Sequence, residues 1–174
     1  MKTLRTFMAL ASALLLTIPP TADAAARIRK GGVVANPDGG YSGGRVAAAR
    51  GANAGEYARG RAFQTDGAGN GTVASGGAFH GPNSAHGARA GSTSRSADGT
   101  VTHQSGMAAS GEKGSVESNG SFTKTDEGAT QSRTTTATGA NGTTYAGSTS
   151  YDKGTGLTHS GSCTSSSGES VSCR

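Results

Sequence analysis

Tryptophan is absent from this chain of 174 residues, proline occurs four times and cysteine twice. Beyond residue 24 the large aliphatic and phenylalanine side chains number twelve: seven Val, three Phe, one Leu and one Ile. That is about 8% of the segment, far under the roughly 20% below which a chain lacks the material for a conventional core. Apolar burial, worth about 25 cal/mol per Å2, therefore has little to act on, and a thick two-layer core is excluded. The 30 glycines raise the entropy lost on ordering. Two architectures remain: a thin repetitive sheet held by backbone hydrogen bonds, or a chain mobile over much of its length. There is also no second long apolar run, so no membrane span is expected after removal of an N-terminal signal.

That signal is written in the first 24 residues. Lys2 and Arg5 supply the positive start, and an apolar stretch runs from Thr6 to Ile18 around Leu14, Leu15 and Leu16. Pro19 and Pro20 end it, and Ala22-Asp23-Ala24 offers a small-x-small cleavage site, with a second one after Ala26. The stretch is shorter than the roughly 20 residues that cross a bilayer. No Cys follows it, so a lipid-anchored form is not expected. Cleavage after residue 24 leaves 150 residues, one domain's worth, destined for the periplasm, the cell surface or the exterior. In such a compartment the pair Cys163 and Cys173 is expected to form a disulfide. Their midpoint is Gly168, so a three-residue loop Ser167-Gly168-Glu169 sets Cys163 opposite Cys173. A closed loop of that size stabilises by about 3 kcal/mol on the chain-entropy model.

The last hundred residues carry a beat of turns at Gly71, Gly87, Gly99, Gly114, Gly128, Gly142, Gly154 and Gly168. Short Ser/Thr-rich runs lie between them, and Thr suits the pleat of a strand. A second glycine divides many units (Gly76, Gly106, Gly120, Gly161), which predicts strands of about five residues joined by turns. Asn119-Gly120 is the strongest hairpin signal within Ser115–Thr125. The expected fold is all-β: a repetitive antiparallel hairpin meander or thin solenoid-like sheet over residues 61–174. Residues 25–60 show no strand or helix period and carry three Gly-Gly pairs, so they read as a Gly/Arg-rich basic arm without regular structure.

Charge separates the two parts. Residues 25–95 hold nine Lys/Arg against Asp38, Glu56 and Asp66, a balance of +6; residues 96–174 hold five against seven acids, a balance of −2. Arg27, Arg29, Lys30, Arg45, Arg50, Arg59 and Arg61 form a candidate surface for an anionic polymer such as lipopolysaccharide, acidic polysaccharide or extracellular DNA. Ala49-Arg50-Gly51 and Ala58-Arg59-Gly60-Arg61, with Tyr41, Tyr57 and Phe63 nearby, resemble Arg-Gly segments that bind single-stranded nucleic acid, a role that export argues against.

Catalytic chemistry finds no footing. His80, His86, His103 and His159 show no metal-ligand spacing; only His80 and His86, six apart, come near a weak site. Asp126-Glu127 are adjacent at a turn rather than paired in a pocket. There is no G-x-S-x-G elbow, and Gly67-Ala68-Gly69-Asn70 lacks the βαβ setting of a phosphate loop. No enzyme, cofactor or metal is expected. Thr134-Thr135-Thr136-Ala137-Thr138-Gly139, Thr158-His159-Ser160-Gly161-Ser162-Cys163 and Val171-Ser172-Cys173 resemble pieces of the exported Ser/Thr/Gly-rich repeat proteins of proteobacteria, over roughly residues 60–174. The resemblance brings no residue roles. Gln64–Asn70 is similar to one curli-type amyloid repeat, but its Gln is displaced by one place and no second copy occurs. The expected role is a non-catalytic structural or adhesive protein of the bacterial envelope or surface. The alternatives are a self-assembling extracellular fibre subunit, or a largely disordered secreted protein that binds anionic polymers.

Overall fold

A computed structural model describes residues 26–51 and 55–173. The expected export signal, residues 1–24, lies outside the described residues. The chain forms one antiparallel sheet of eleven strands in sequence order, a pure up-and-down meander. The strands are β1 (Ala26–Ala35), β2 (Tyr41–Arg50), β3 (Glu56–Thr65), β4 (Gly71–His80), β5 (His86–Arg95), β6 (Val101–Gly111), β7 (Gly114–Lys124), β8 (Ala129–Gly139), β9 (Thr144–Asp152), β10 (Gly156–Thr164) and β11 (Ser170–Val171). No helix occurs among the described residues.

The repeat is more regular than the glycine beat. Ala26, Tyr41, Glu56, Gly71, His86 and Val101 each open a strand, 15 residues apart every time. Every second strand runs the same way, so residues 30 apart fall in one row across the sheet. Arg29, Arg59 and Arg89 are such a row, through the partners Ala47 and Gly77.

Three expectations are corrected. Residues 26–50 and 56–60, read as an arm without regular structure, are β1, β2 and the start of β3. There is no boundary at residue 60, because Gly60 lies in the middle of β3. The strands are mostly 9 to 11 residues long rather than five, and Gly76, Gly106, Gly120 and Gly161 lie inside them. Asn119-Gly120 is not a turn: Asn119 pairs with Gly106 and Thr134, and Gly120 with Ser105 and Arg133. Ladders on both sides of β7 satisfy its backbone groups along the whole strand, which a local hairpin would leave unpaired at its tip.

The turns that do form share one design. In four of them the first residue donates its N–H to the carbonyl of the fifth, and the fourth donates back to the first: Asn36/Gly39/Gly40, Ser96/Gly99/Thr100, Gly139/Gly142/Thr143 and Ser165/Gly168/Glu169. The fourth residue is glycine each time, at φ between 80° and 88°, where a side chain is strained. Asp66 organises the β3–β4 turn instead. It accepts from Ala68 N–H at 2.8 Å, Asn70 N–H at 3.1 Å and the Asn70 side-chain amide at 2.5 Å. Those bonds, the Asn70 amide first, hold its carboxyl below the usual 3.8. The bonded form is the carboxylate, so the support is present above the ordinary Asp range and is lost as pH falls through the depressed value. Protection of the Ala68 and Asn70 amides, taken relative to the intrinsic exchange rate at each pH, is expected to fall in acid, at a lower pH than an unperturbed Asp would set. Protection that is unchanged from neutral pH to well below the ordinary Asp range would contradict this role.

The bridge Cys163–Cys173 forms, with Cα atoms 5.3 Å apart, but not in the expected register. Cys163 pairs with Val171 and Thr164 with Ser170, around a five-residue turn 165–169. Cys173 therefore sits two residues beyond the ladder partner of Cys163, and the disulfide closes the hairpin diagonally.

A single layer leaves almost nothing buried: Ala48 and Cys163 are the buried apolar side chains among the described residues, and Ser118 the buried polar one. Rings on glycine take the place of a core. A Cβ at Gly43 would meet the Phe63 ring at 2.8 Å, one at Gly87 would meet Phe79 at 2.6 Å, and one at Gly161 would meet Tyr145 at 3.0 Å. Aromatic rings covering glycine backbone are a known device for strengthening strands that glycine weakens.

Candidate functional site

Side chains alternate between the two faces of a strand, and directly paired residues share a face. The register therefore sorts every strand residue. One face carries Arg27 and Arg29 of β1, Arg45 of β2, Arg59 and Arg61 of β3, Arg89 and Arg95 of β5, Lys124 of β7 and Arg133 of β8. It carries no Asp or Glu: the strand acids Glu56, Glu117 and Asp152 all fall on the opposite face. The other acids among the described residues, including Asp38, Asp66, Asp98, Asp126 and Glu127, sit in turns.

The aromatic residues follow the arginines. Tyr41, Tyr57, Phe63, Phe79, Phe122, Tyr145 and Tyr151 all lie on the basic face. Along β3 the sequence on that face reads Tyr57, Arg59, Arg61, Phe63, two cations between two rings. The spaces between are small: Gly31 opposes Arg45, Gly77 lies between Arg59 and Arg89, and Gly120 opposes Arg133. A groove of about 790 Å3 runs over this face from β1 to β8, with Arg29, Arg45, Arg59, Arg61, Arg89 and Arg133 along it.

The other face is built mainly from Ala, Gly, Ser and Thr. Hydroxyls meet across strands at Thr72–Ser94 (3.2 Å), Ser121–Ser132 (2.8 Å), Ser148–Ser160 (2.8 Å) and Ser150–Thr158 (2.6 Å). Such pairs stabilise a sheet by a few tenths of a kcal/mol up to about 1 each. Part of the Ser/Thr richness thus serves cross-strand bonding.

Of the seven cations expected to meet a polyanion, Arg27, Arg29, Arg45, Arg59 and Arg61 lie on the basic face. Lys30 and Arg50 lie on the hydroxyl face. Arg50 is engaged there: its Nε is 3.3 Å from Glu56 Oε1, the one ion pair among the described residues. Arg89, Arg95, Lys124 and Arg133, none of them among those seven, join the basic face, the last two from the near-neutral part of the chain. The 30-residue spacing of Arg29, Arg59 and Arg89 is the signal that would have found the first of them.

Electrostatically the face is unbalanced. Arg45 and Arg61 are direct cross-strand partners, both exposed, with no carboxylate between them. Like charges directly opposed cost stability in an isolated sheet. Arginine's planar fork suits phosphate and carboxylate oxygens, two at a time. His80 and His86 oppose each other on the hydroxyl face, and His86 is already bonded to the Ser84 carbonyl and the Ser110 hydroxyl, both at 2.9 Å. Among the described residues no three His, Cys, Asp or Glu side chains gather as a metal site. No protein-family model matches the chain, and no curated protein or solved structure matches it.

Proposed function

We propose that this is an exported, non-catalytic adhesive or structural protein of the bacterial envelope or surface that binds anionic polymer through its basic face. The observation that carries the reading is the opposed pair Arg45–Arg61 on a face with nine cations and no acid. A protein under no demand to bind anions has no reason to sort charge this way, and sequences break local rules of this kind mainly at functional sites. The N-terminal signal pattern and the disulfide both suit an oxidising compartment outside the cytosol. Lipopolysaccharide, acidic polysaccharide and extracellular DNA all present the matching charge. Affinity for heparin, a convenient polyanion, is expected to fall steeply and linearly on a log–log plot against salt, because bound cations are released. Binding that ignores salt, or no binding, overturns the reading.

Self-association is a second reading, favoured by the two edges of the sheet. Among the described residues, β1 is unpaired along its outer side and β11 covers only the Cys163–Thr164 end of β10. Val34 and Val33 on one edge and Leu157 on the other are the most exposed large apolar residues, at 64%, 62% and 71%. Exposed apolar edges template pairing with another chain, and a charge on the edge blocks it. Sedimentation should show concentration-dependent growth that Val33→Lys suppresses; a monomer at all concentrations would reject this assembly.

A further inference from the structure

We propose that the basic face binds single-stranded nucleic acid, with phosphates on the arginines and bases stacked on Tyr57, Phe63 and Phe79. The proposal rests on the polyanion reading and narrows it by what lies beside the cations. A base-free polyanion needs only charge. This face supplies charge and rings in alternation, Tyr57-Arg59-Arg61-Phe63 along β3, with Phe79 directly opposite Tyr57 on β4. Phe63 and Phe79 cover glycine backbone, but among the described residues no second layer encloses these rings. Phe79 lies over the backbone of buried Gly87 and is still 47% exposed, and Tyr57 is 39% exposed. A ring with one side on the sheet and the other in solvent is a stacking platform. Bases stack on such platforms without regard to sequence, while a positively charged groove follows the backbone.

The floor between the platforms is low. Gly31, Gly77 and Gly91 place bare backbone beside the arginines, so a ligand can approach the sheet closely. Adjacent strands are about 4.8 Å apart, so the groove from β1 to β8 is roughly 34 Å long, room for several nucleotides across the strands. A duplex offers phosphates but hides the faces of its bases, and would leave the rings unused.

The test compares labelled oligo-dT, the same strand in duplex form, and heparin on the same protein by fluorescence anisotropy. Oligo-dT is expected to bind more tightly than duplex. Tyr57→Leu and Phe79→Leu should each weaken oligo-dT binding about tenfold, within the range measured for loss of one stacking ring, and leave heparin binding within about twofold. All four tyrosines lie on the basic face and tryptophan is absent, so tyrosine emission of the unaltered protein reports this face alone. It should be quenched by oligo-dT and not by heparin, a readout that needs no variant to fold. If heparin and oligo-dT bind alike, emission is unchanged by oligo-dT and the two substitutions have no effect, stacking is refuted while the polyanion reading stands. If none of the three ligands binds, both fall.

Discussion

Replacing Gly87 by Val is expected to destabilise the protein by roughly 1–3 kcal/mol, the usual cost of forcing side-chain volume into a filled position. Gly87, the second residue of β5, is buried between Phe79 on β4 and Ala109 on β6. A Cβ there would lie 2.6 Å from a Phe79 ring carbon, 2.9 Å from the Ala108 carbonyl oxygen and 2.9 Å from the Ala109 Cβ. Two of those three neighbours cannot yield by a simple side-chain rotation, and the third, Phe79, would have to leave the glycine that it covers. In most strands the same substitution helps, because β-branched residues suit the pleat by up to about 1 kcal/mol. Gly32 on β1 supplies that contrast: it is exposed, and a Cβ there meets nothing within 4 Å. Gly32→Val should therefore be neutral or stabilising. Urea unfolding of the two variants checks the pair, and equal midpoints would refute the idea that rings on glycine replace a core.

That idea also explains what was legible in the sequence. Scarcity of large apolar residues correctly excluded a thick core and pointed to a thin antiparallel meander. The even cysteine pair pointed to its disulfide. Strand length and the fate of residues 26–60 were not legible to a hydropathy period. In β3 the alternation is of side-chain size and charge, with Tyr57, Arg59, Arg61 and Phe63 on one face and Ala58, Gly60 and Ala62 on the other. Arginine and tyrosine score as polar and alanine as apolar, so the pattern vanishes on a hydrophobicity scale although the period of two is intact. Glycine misled for the same reason. Gly76, Gly106 and Gly120 read as turns, whereas their ladders place them mid-strand. Asn119-Gly120 shows local turn chemistry overridden by pairing on both sides. The disulfide register slipped because Gly168 is the fourth residue of a five-residue turn rather than the centre of a three-residue one.

The larger expected effect is on binding. Changing Arg45, Arg59 and Arg61 together to Ser should lower affinity for heparin by at least about a hundredfold at low salt, since each lost phosphate- or sulfate-type contact also removes a released counterion. The salt slope should fall with it, by roughly 0.7 to 0.9 per contact. Removing these charges relieves the Arg45–Arg61 opposition, so stability should hold or rise slightly while binding is lost. A loss of binding that came from unfolding would instead be accompanied by a lower urea midpoint. Lowering net charge alone makes a different prediction, because any three cations would then be equivalent. Lys30, Arg50 and Lys113 provide the matched control: the first two lie on the hydroxyl face and the third in the β6–β7 turn.

The most direct measurement is thus heparin affinity for two variants of equal net charge, one with Arg45, Arg59 and Arg61 changed to Ser and one with Lys30, Arg50 and Lys113 changed to Ser. Sorting of charge by strand register predicts that the first variant loses binding and the second keeps it within a few-fold. Equal loss in both would contradict a dedicated basic face.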